Sequence, residues 1–233
     1  MNPPGINPVL TSMEGCQIQI AGSMNAAIHH PAWYRLVGLI SEHEYESAIN
    51  GRPASGPISS SFLFRAGEIQ CQPQAWTVST AQLEDLSPIV TMAAKLFDDL
   101  LPHTPIQAYS IGFFFHAGVQ TGIDPRRGLL TAISNANIGL AGPPDGTAHF
   151  SHNFGNEAQE TSVLIEPSNR DRQRIFLNFK TTFTIQPGTD HTGRVKFDQF
   201  NIGPLLANHA TATQNAARQQ LQRTLDAIKC LQE

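Results

Sequence analysis

What this sequence has least of is charge. Of its 233 residues only 15% are Asp, Glu, Lys or Arg, and the formal net charge is -4, against about 25% charged residues in an average globular domain. That shortage excludes an acidic disordered tail, a polybasic nucleic-acid arm and a coiled coil, each of which is built from charge. Long apolar runs are missing too. A membrane-spanning helix needs about 18 apolar residues in a row, whereas the longest near-apolar stretch, 106–119, is broken by Gln107, Ser110 and His116. No membrane partner is expected. Cysteine is scarce: Cys16, Cys71 and Cys230 lie far apart with no CxxC spacing, a pattern of reduced thiols rather than of a disulfide framework or zinc site. There is no GxSxG elbow, GxGxxG turn, Walker-type P-loop or HExxH pair, so no cofactor is indicated and no nucleophilic triad has an anchor. The opening MNPPGINPVL resembles neither a signal peptide nor an Arg-rich transit peptide, and a cytoplasmic location is the expectation.

What is present is 40% apolar residues, 18 glycines and 16 prolines, enough chain to bury a sizeable core in one or two domains. The punctuation divides it into an N-terminal extended and helical segment, 1–57, and a main domain, 58–233, that carries a loop-rich insert at 118–160. In the first segment a short strand with little core content is expected at 16–20. A helical run at 32–37 follows, and then a helix opened by a Ser41–Glu44 capping box and stopped at Gly51. The main domain begins as a meander, with strands at 62–65, 68–72 and 75–79. The clearest helix comes next, with Ser87 as N-cap, Pro88 at the first position and the stripe Ile89, Val90, Ala93, Leu96, Phe97 and Leu100. Apolar or small residues on both parities of 106–117 predict a central strand covered on both faces. Strands at 161–166 and 174–185 form a hairpin about the tip PSNRDRQ, with Ile175, Leu177, Phe179, Phe183 and Ile185 on one parity and Asn178, Lys180, Thr182 and Thr184 on the other. From about residue 203 the spacing of Ala217, Leu221, Leu225 and Ile228 predicts a long C-terminal helix. Local antiparallel strands with segregated helices make the fold class α+β.

The segment KLFDDLLPHTPIQAYSIGFFFHA, together with SVLIEPSNRDRQRIFLNFKTTF, resembles small uncharacterised bacterial proteins. They share a strand, a helix ending in a Leu-Leu-polar-Thr-Pro turn, a following strand and a later Glu-Pro hairpin. The resemblance covers about half the chain and implies a role in a bacterial accessory or defence-type complex, with no site residue carried over.

Three chemistries compete for the remaining polar residues. His149 and His152, with Glu157 and His191, are the densest set of metal-ligand types, because two imidazoles three apart can share a helical face. They would suit a metal-dependent hydrolase or nuclease, although the surrounding Gly and Pro argue for a polar loop. Arg126, Arg127, Arg170, Arg172 and Arg174 are small basic clusters in turn-like segments, suited to phosphate forks and hence to a nucleic-acid-associated subunit. His103 and His116 have no nucleophile or orienting carboxylate nearby in sequence. The expectation is therefore a non-catalytic protein-interaction or assembly subunit whose partner is another protein or a second copy. Leu221, Leu225 and Ile228 of the terminal helix, with Trp33 and Tyr34, are its interface candidates.

Overall fold

The computed structural model describes residues 10–118, 129, 149–171, 174–186, 188–189, 195–196 and 201–230. Alternation of buried and half-buried residues builds its sheet. In β1 (Leu10–Gly22), Cys16, Ile18 and Ile20 are fully buried while Gln17 and Gln19 take the other parity. The same pattern recurs in β3 (Ser60–Phe64), β4 (Gly67–Gln72), β5 (Ala75–Thr80), β8 (Gln159–Pro167) and β9 (Ile175–Thr184). With the two-residue β2 (Ala54–Ser55), β6 (Ile106–Gly118) and β7 (Phe150–Gly155), they form one 9-stranded sheet in the order β2-β3-β4-β5-β1-β6-β9-β8-β7. Every pairing in it is antiparallel. A separate ribbon joins β10 (Gly188–Thr189) to β11 (Val195–Lys196).

The short strand expected at 16–20 is therefore 13 residues long and central. Its buried side chains, Cys16, Ile18 and Ile20, are few for a core strand, yet β5 and β6 flank them on both sides. One register row runs Val78, Ile18, Ile111, Thr181, Thr161 and Phe154, crossing six strands on the same face. Part of the 1–57 segment thus lies in the middle of the sheet.

Among the described residues four α-helices of a turn or more complete the α+β fold: α1 (Pro31–Leu36), α2 (Glu42–Asn50), α3 (Leu86–Ala94) and α4 (Ile202–Cys230). The capping box of α2 forms as expected, with Glu44 N–H donating to Ser41 Oγ and Ser41 N–H donating to Glu44 Oε2. Helix α3 starts two residues earlier than the Ser87 cap predicts, after a 3-10 turn at Leu83–Asp85, and Pro88 occupies its third position. That position still lies in the first turn, where a missing N–H breaks no helical bond. Beyond α3 the chain widens into a π turn, Lys95–Leu100, closed by Leu101 N–H donating to the Leu96 carbonyl at 2.8 Å.

The π turn sets α4. Asp98 accepts from Ile202 N–H at 2.6 Å and from Gly203 N–H at 2.9 Å, so one carboxylate satisfies two of the free donors that open the 29-residue helix. Gly203 permits the approach, because a Cβ there would sit 2.6 Å from Ala94 Cβ. Farther along, His209 stacks on Phe183 at 4.1 Å and shares a 2.6 Å hydrogen bond with Tyr109. Arg218 then pairs with Glu14 of β1 at 2.7 Å. Helix α4 therefore runs across the buried face of the sheet, over β6 and β9.

Tyr34 anchors α1 to the same face. Its hydroxyl accepts from Trp76 Nε1–H at 2.8 Å, and its own hydrogen then goes to His29 Nδ1, also at 2.8 Å. Its ring packs edge-on against Phe62. Burial accordingly holds the His29 pKa down, to about 4.

The opposite face behaves differently. It is more polar, carrying Gln17, Gln19, Ser110, Gly112, Phe114, Asn178 and Lys180 on β1, β6 and β9, yet Ser110, Gly112 and His116 are buried on it, so β6 is buried on both faces. The apolar residues of this parity cover the sheet's own backbone. The Phe114 ring lies over Gly15, where any added Cβ would collide with it.

Candidate functional site

Two regions hold side chains that the core does not use. The first is the β7 edge. Residues 149–160, expected as loop, run as strand over Phe150–Gly155 and turn into β8 at Gln159. Gly155, at φ +136°, and Asn156, whose side chain accepts from Ala158 and Gln159 N–H, make that turn. Phe150, His152 and Phe154 share the parity of the buried face, and their rings form a row with centroids 6.1 and 5.4 Å apart. Yet Phe150 is 43% exposed and Phe154 is 45% exposed. Among the described residues β7 pairs on one side only. A groove of about 340 Å³ runs beside it under α4, lined by Phe154, Thr161, Phe183, Ala212, Ala216 and Gln220 among others.

The strand geometry also separates the two histidines of the metal reading. Residues three apart in an extended chain point to opposite sides, so His149 and His152 do not share a face as they would on a helix. Glu157 lies in the exposed turn beyond them. His191 lies outside the described residues. Among the described residues no three His, Cys, Asp or Glu side chains converge as metal ligands.

The second region is on the opposite, more polar face, at the β8–β9 end. Gln17, Phe114, His116, Glu166, Asn169, Arg170, Phe176 and Asn178 line a shallow depression of about 340 Å³. The β8–β9 turn frames it: Ser168 Oγ accepts from Arg170 N–H at 3.1 Å and Asp171 N–H at 3.2 Å, and lies 2.8 Å from His116 Nδ1. With both lone pairs taken, the serine hydrogen is the one that bridges to Nδ1, which leaves the ring proton of neutral His116 on Nε2. Burial, with Arg170 and Arg174 adding repulsion, lowers the pKa of His116, so it stays neutral at physiological pH. Two residues along β9 from Asn178, Lys180 Nζ donates to Gln19 Oε1 at 2.6 Å, and burial lowers its pKa as well.

Of the basic cluster, Arg170 lines the depression and Arg174 pairs with Asp171 at 2.8 Å. Arg126, Arg127 and Arg172 lie outside the described residues. The interface candidates belong to the core instead: Tyr34 is fully buried and Leu221, Leu225 and Ile228 are at most 6% exposed, because that face of α4 is turned into the protein; Trp33 is half-buried against Tyr34. Cys16 and Cys71 are buried, which pushes both thiol pKa values up to about 12 and makes them inert. His103 sits exposed in the turn before β6.

Sequence reasoning missed Phe150 and Phe154, although the alternation Phe-x-His-x-Phe in 150–154 carried the strand period. It also missed Phe114, Phe176 and Gln17, whose common parity is visible only once β1, β6 and β9 are known to be neighbours. No helix among the described residues is long and apolar enough to cross a membrane. No family model matches the chain, and no curated protein matches it.

Proposed function

We propose that this protein is a non-catalytic interaction or assembly subunit that joins a partner by adding a strand to β7. One observation carries the reading: β7 is an exposed edge strand with three aromatic rings on its core-facing parity and no Lys, Arg, Asp, Glu or Pro within it. Charge, proline and shortness are how proteins keep sheet edges from pairing. The other edge follows that rule, since β2 is two residues long and lies between Pro53 and Pro57. An added strand satisfies the outward N–H and C=O groups of β7 and lays alternate side chains beside the groove under α4.

A second copy is the simplest partner. A two-fold axis perpendicular to the sheet pairs residues of equal parity, and centring it on His152 sets Phe150 against Phe154 of the second copy. Each such aromatic cross-strand pair contributes about 0.2–1 kcal/mol. Light scattering and native mass spectrometry on the purified chain, with a pull-down from source cells, test the reading. The expected result is a defined homo-oligomer or stoichiometric complex that the double change Phe150→Lys, Phe154→Lys dissolves. A monomer without co-purifying protein, or an assembly indifferent to both lysines, overturns it.

A further inference from the structure

The depression on the polar face stands apart from β7 and has a chemistry of its own. Its walls are two aromatic rings from neighbouring strands: Phe114 on β6 and Phe176 on β9, the latter tilted against His116 at 5.0 Å. Two planar amides, Gln17 on β1 and Asn178 on β9, also line it, and each presents a donor beside an acceptor. Neither amide has a hydrogen-bond partner among the described residues, unlike the next pair along the strands, where Gln19 is held by Lys180. Glu166 and Arg170, of opposite charge, stand at the rim. The volume of about 340 Å³ falls at the small end of the roughly 300–1,000 Å³ of ligand sites.

Aromatic faces beside amide edges, with both signs of charge at the rim, suit a flat heterocycle that stacks and hydrogen-bonds along its edge. A divalent cation would find one carboxylate only. An apolar ligand would leave both amides unsatisfied, at a desolvation cost the rings do not offset. Bases splayed from a single strand are read this way, on an open sheet face with aromatic platforms and side-chain amides. We infer that the depression formed by Phe114, Phe176, Gln17 and Asn178 binds a nucleobase, from a free nucleotide or from a single-stranded nucleic acid.

The face next to it separates the two sources. Gly112 leaves the centre of the face low, with Lys180 alongside it, so a strand leaving the pocket would pass a cation.

The full chain is titrated with the four common ribonucleoside monophosphates and with eight-nucleotide single strands of each base, followed by calorimetry and by the side-chain amide NMR signals of Gln17 and Asn178. The expected result is saturable binding of at least one of them that moves both amide signals and weakens about tenfold or more in Phe176→Ala and in Asn178→Ala. Equal affinity for monomer and oligomer identifies a nucleotide site. Tighter oligomer binding that falls with salt and with Lys180→Gln identifies a strand. The proposal is overturned if no nucleotide or oligomer binds, if binding leaves the Gln17 and Asn178 signals in place, or if both alanine variants, folded by circular dichroism, bind like the parent. None of these outcomes depends on whether β7 pairs.

Discussion

Replacing Asp98 by alanine removes the carboxylate that caps α4. In the native state its two carboxylate oxygens accept from Ile202 and Gly203 N–H at 2.6 and 2.9 Å, across 104 and 105 residues of chain. Loss of an N-cap side chain costs about 0.5–2 kcal/mol. The interaction of a partly buried negative charge with the helix dipole adds about 0.3–1 kcal/mol, rising to about 2 in favourable geometry. Taken together, Asp98→Ala should destabilise the fold by about 2–3 kcal/mol. Asparagine keeps one acceptor oxygen and loses the charge, so Asp98→Asn should cost roughly half as much. Asp99, exposed on the same turn, is the control, and its alanine variant should stay within about 0.5 kcal/mol of the parent. Urea denaturation reads these values as midpoint shifts at constant slope. Thermal scans should show a Tm lowered by roughly 5–10 °C for Asp98→Ala, given about 2–4 °C per kcal/mol for a chain of this size. If Asp98→Ala falls within 0.5 kcal/mol of the Asp99→Ala control, or if Asn proves as harmful as Ala, the bidentate charged cap is not what holds α4 in place.

Tyr34→Phe should cost about 1–3 kcal/mol in the same assay, because it leaves the Trp76 indole N–H buried without its acceptor. The His29 pKa is lowered from 6.5 to about 4 in the fold, so its contribution is complete above about pH 6.5 and is lost as pH falls toward 4; the loss is on the order of 3 kcal/mol, and His29→Gln should flatten that limb of a stability–pH profile. In a Cys230→Ser background, a thiol reagent should find no reactive cysteine in the native protein and two in urea, since Cys16 and Cys71 are both buried; fast labelling without denaturant would contradict this packing. Gly203→Val should push α4 off α3 and cost about 1–3 kcal/mol, read again as a urea midpoint.

Local pattern told most where one face is buried and the other wet. In β9, Ile175, Leu177 and Phe179 fall on one parity and Asn178 and Lys180 on the other, and the strand lies where that alternation places it. The Ser41–Glu44 box and the stripe of α4 were legible for the same reason, since both are set by neighbours within a few residues. Partners distant in sequence were not. Nothing near Ile18 announces that Ile111 will lie beside it, so β1 looked peripheral and the polar face could not be assembled from Gln17, Phe114 and Asn178. For the same reason Leu221, Leu225 and Tyr34 looked available to a partner: an amphipathic stripe does not say whether its own sheet or another chain will cover it. Strand β7 was hidden by composition, its Phe-His-Phe alternation lying among glycines, prolines and asparagines that signal loops.

The sheet order has a consequence for how the chain reaches its fold. The strands β2 to β5 form one ladder of neighbours, and β6, β9, β8 and β7 form another; β1 is the seam between them, bonded to β5 on one side and β6 on the other. During synthesis β1 precedes both of its partners, and Ile18 waits some ninety residues for Ile111. Pairing over such separations is slow, because the loop must close before the contact is made. The last joining event therefore unites two half-sheets around a strand made before either of them. A pulse-labelling hydrogen-exchange experiment should find the β3–β4–β5 meander protected first and the amides of β1 protected together with those of β6.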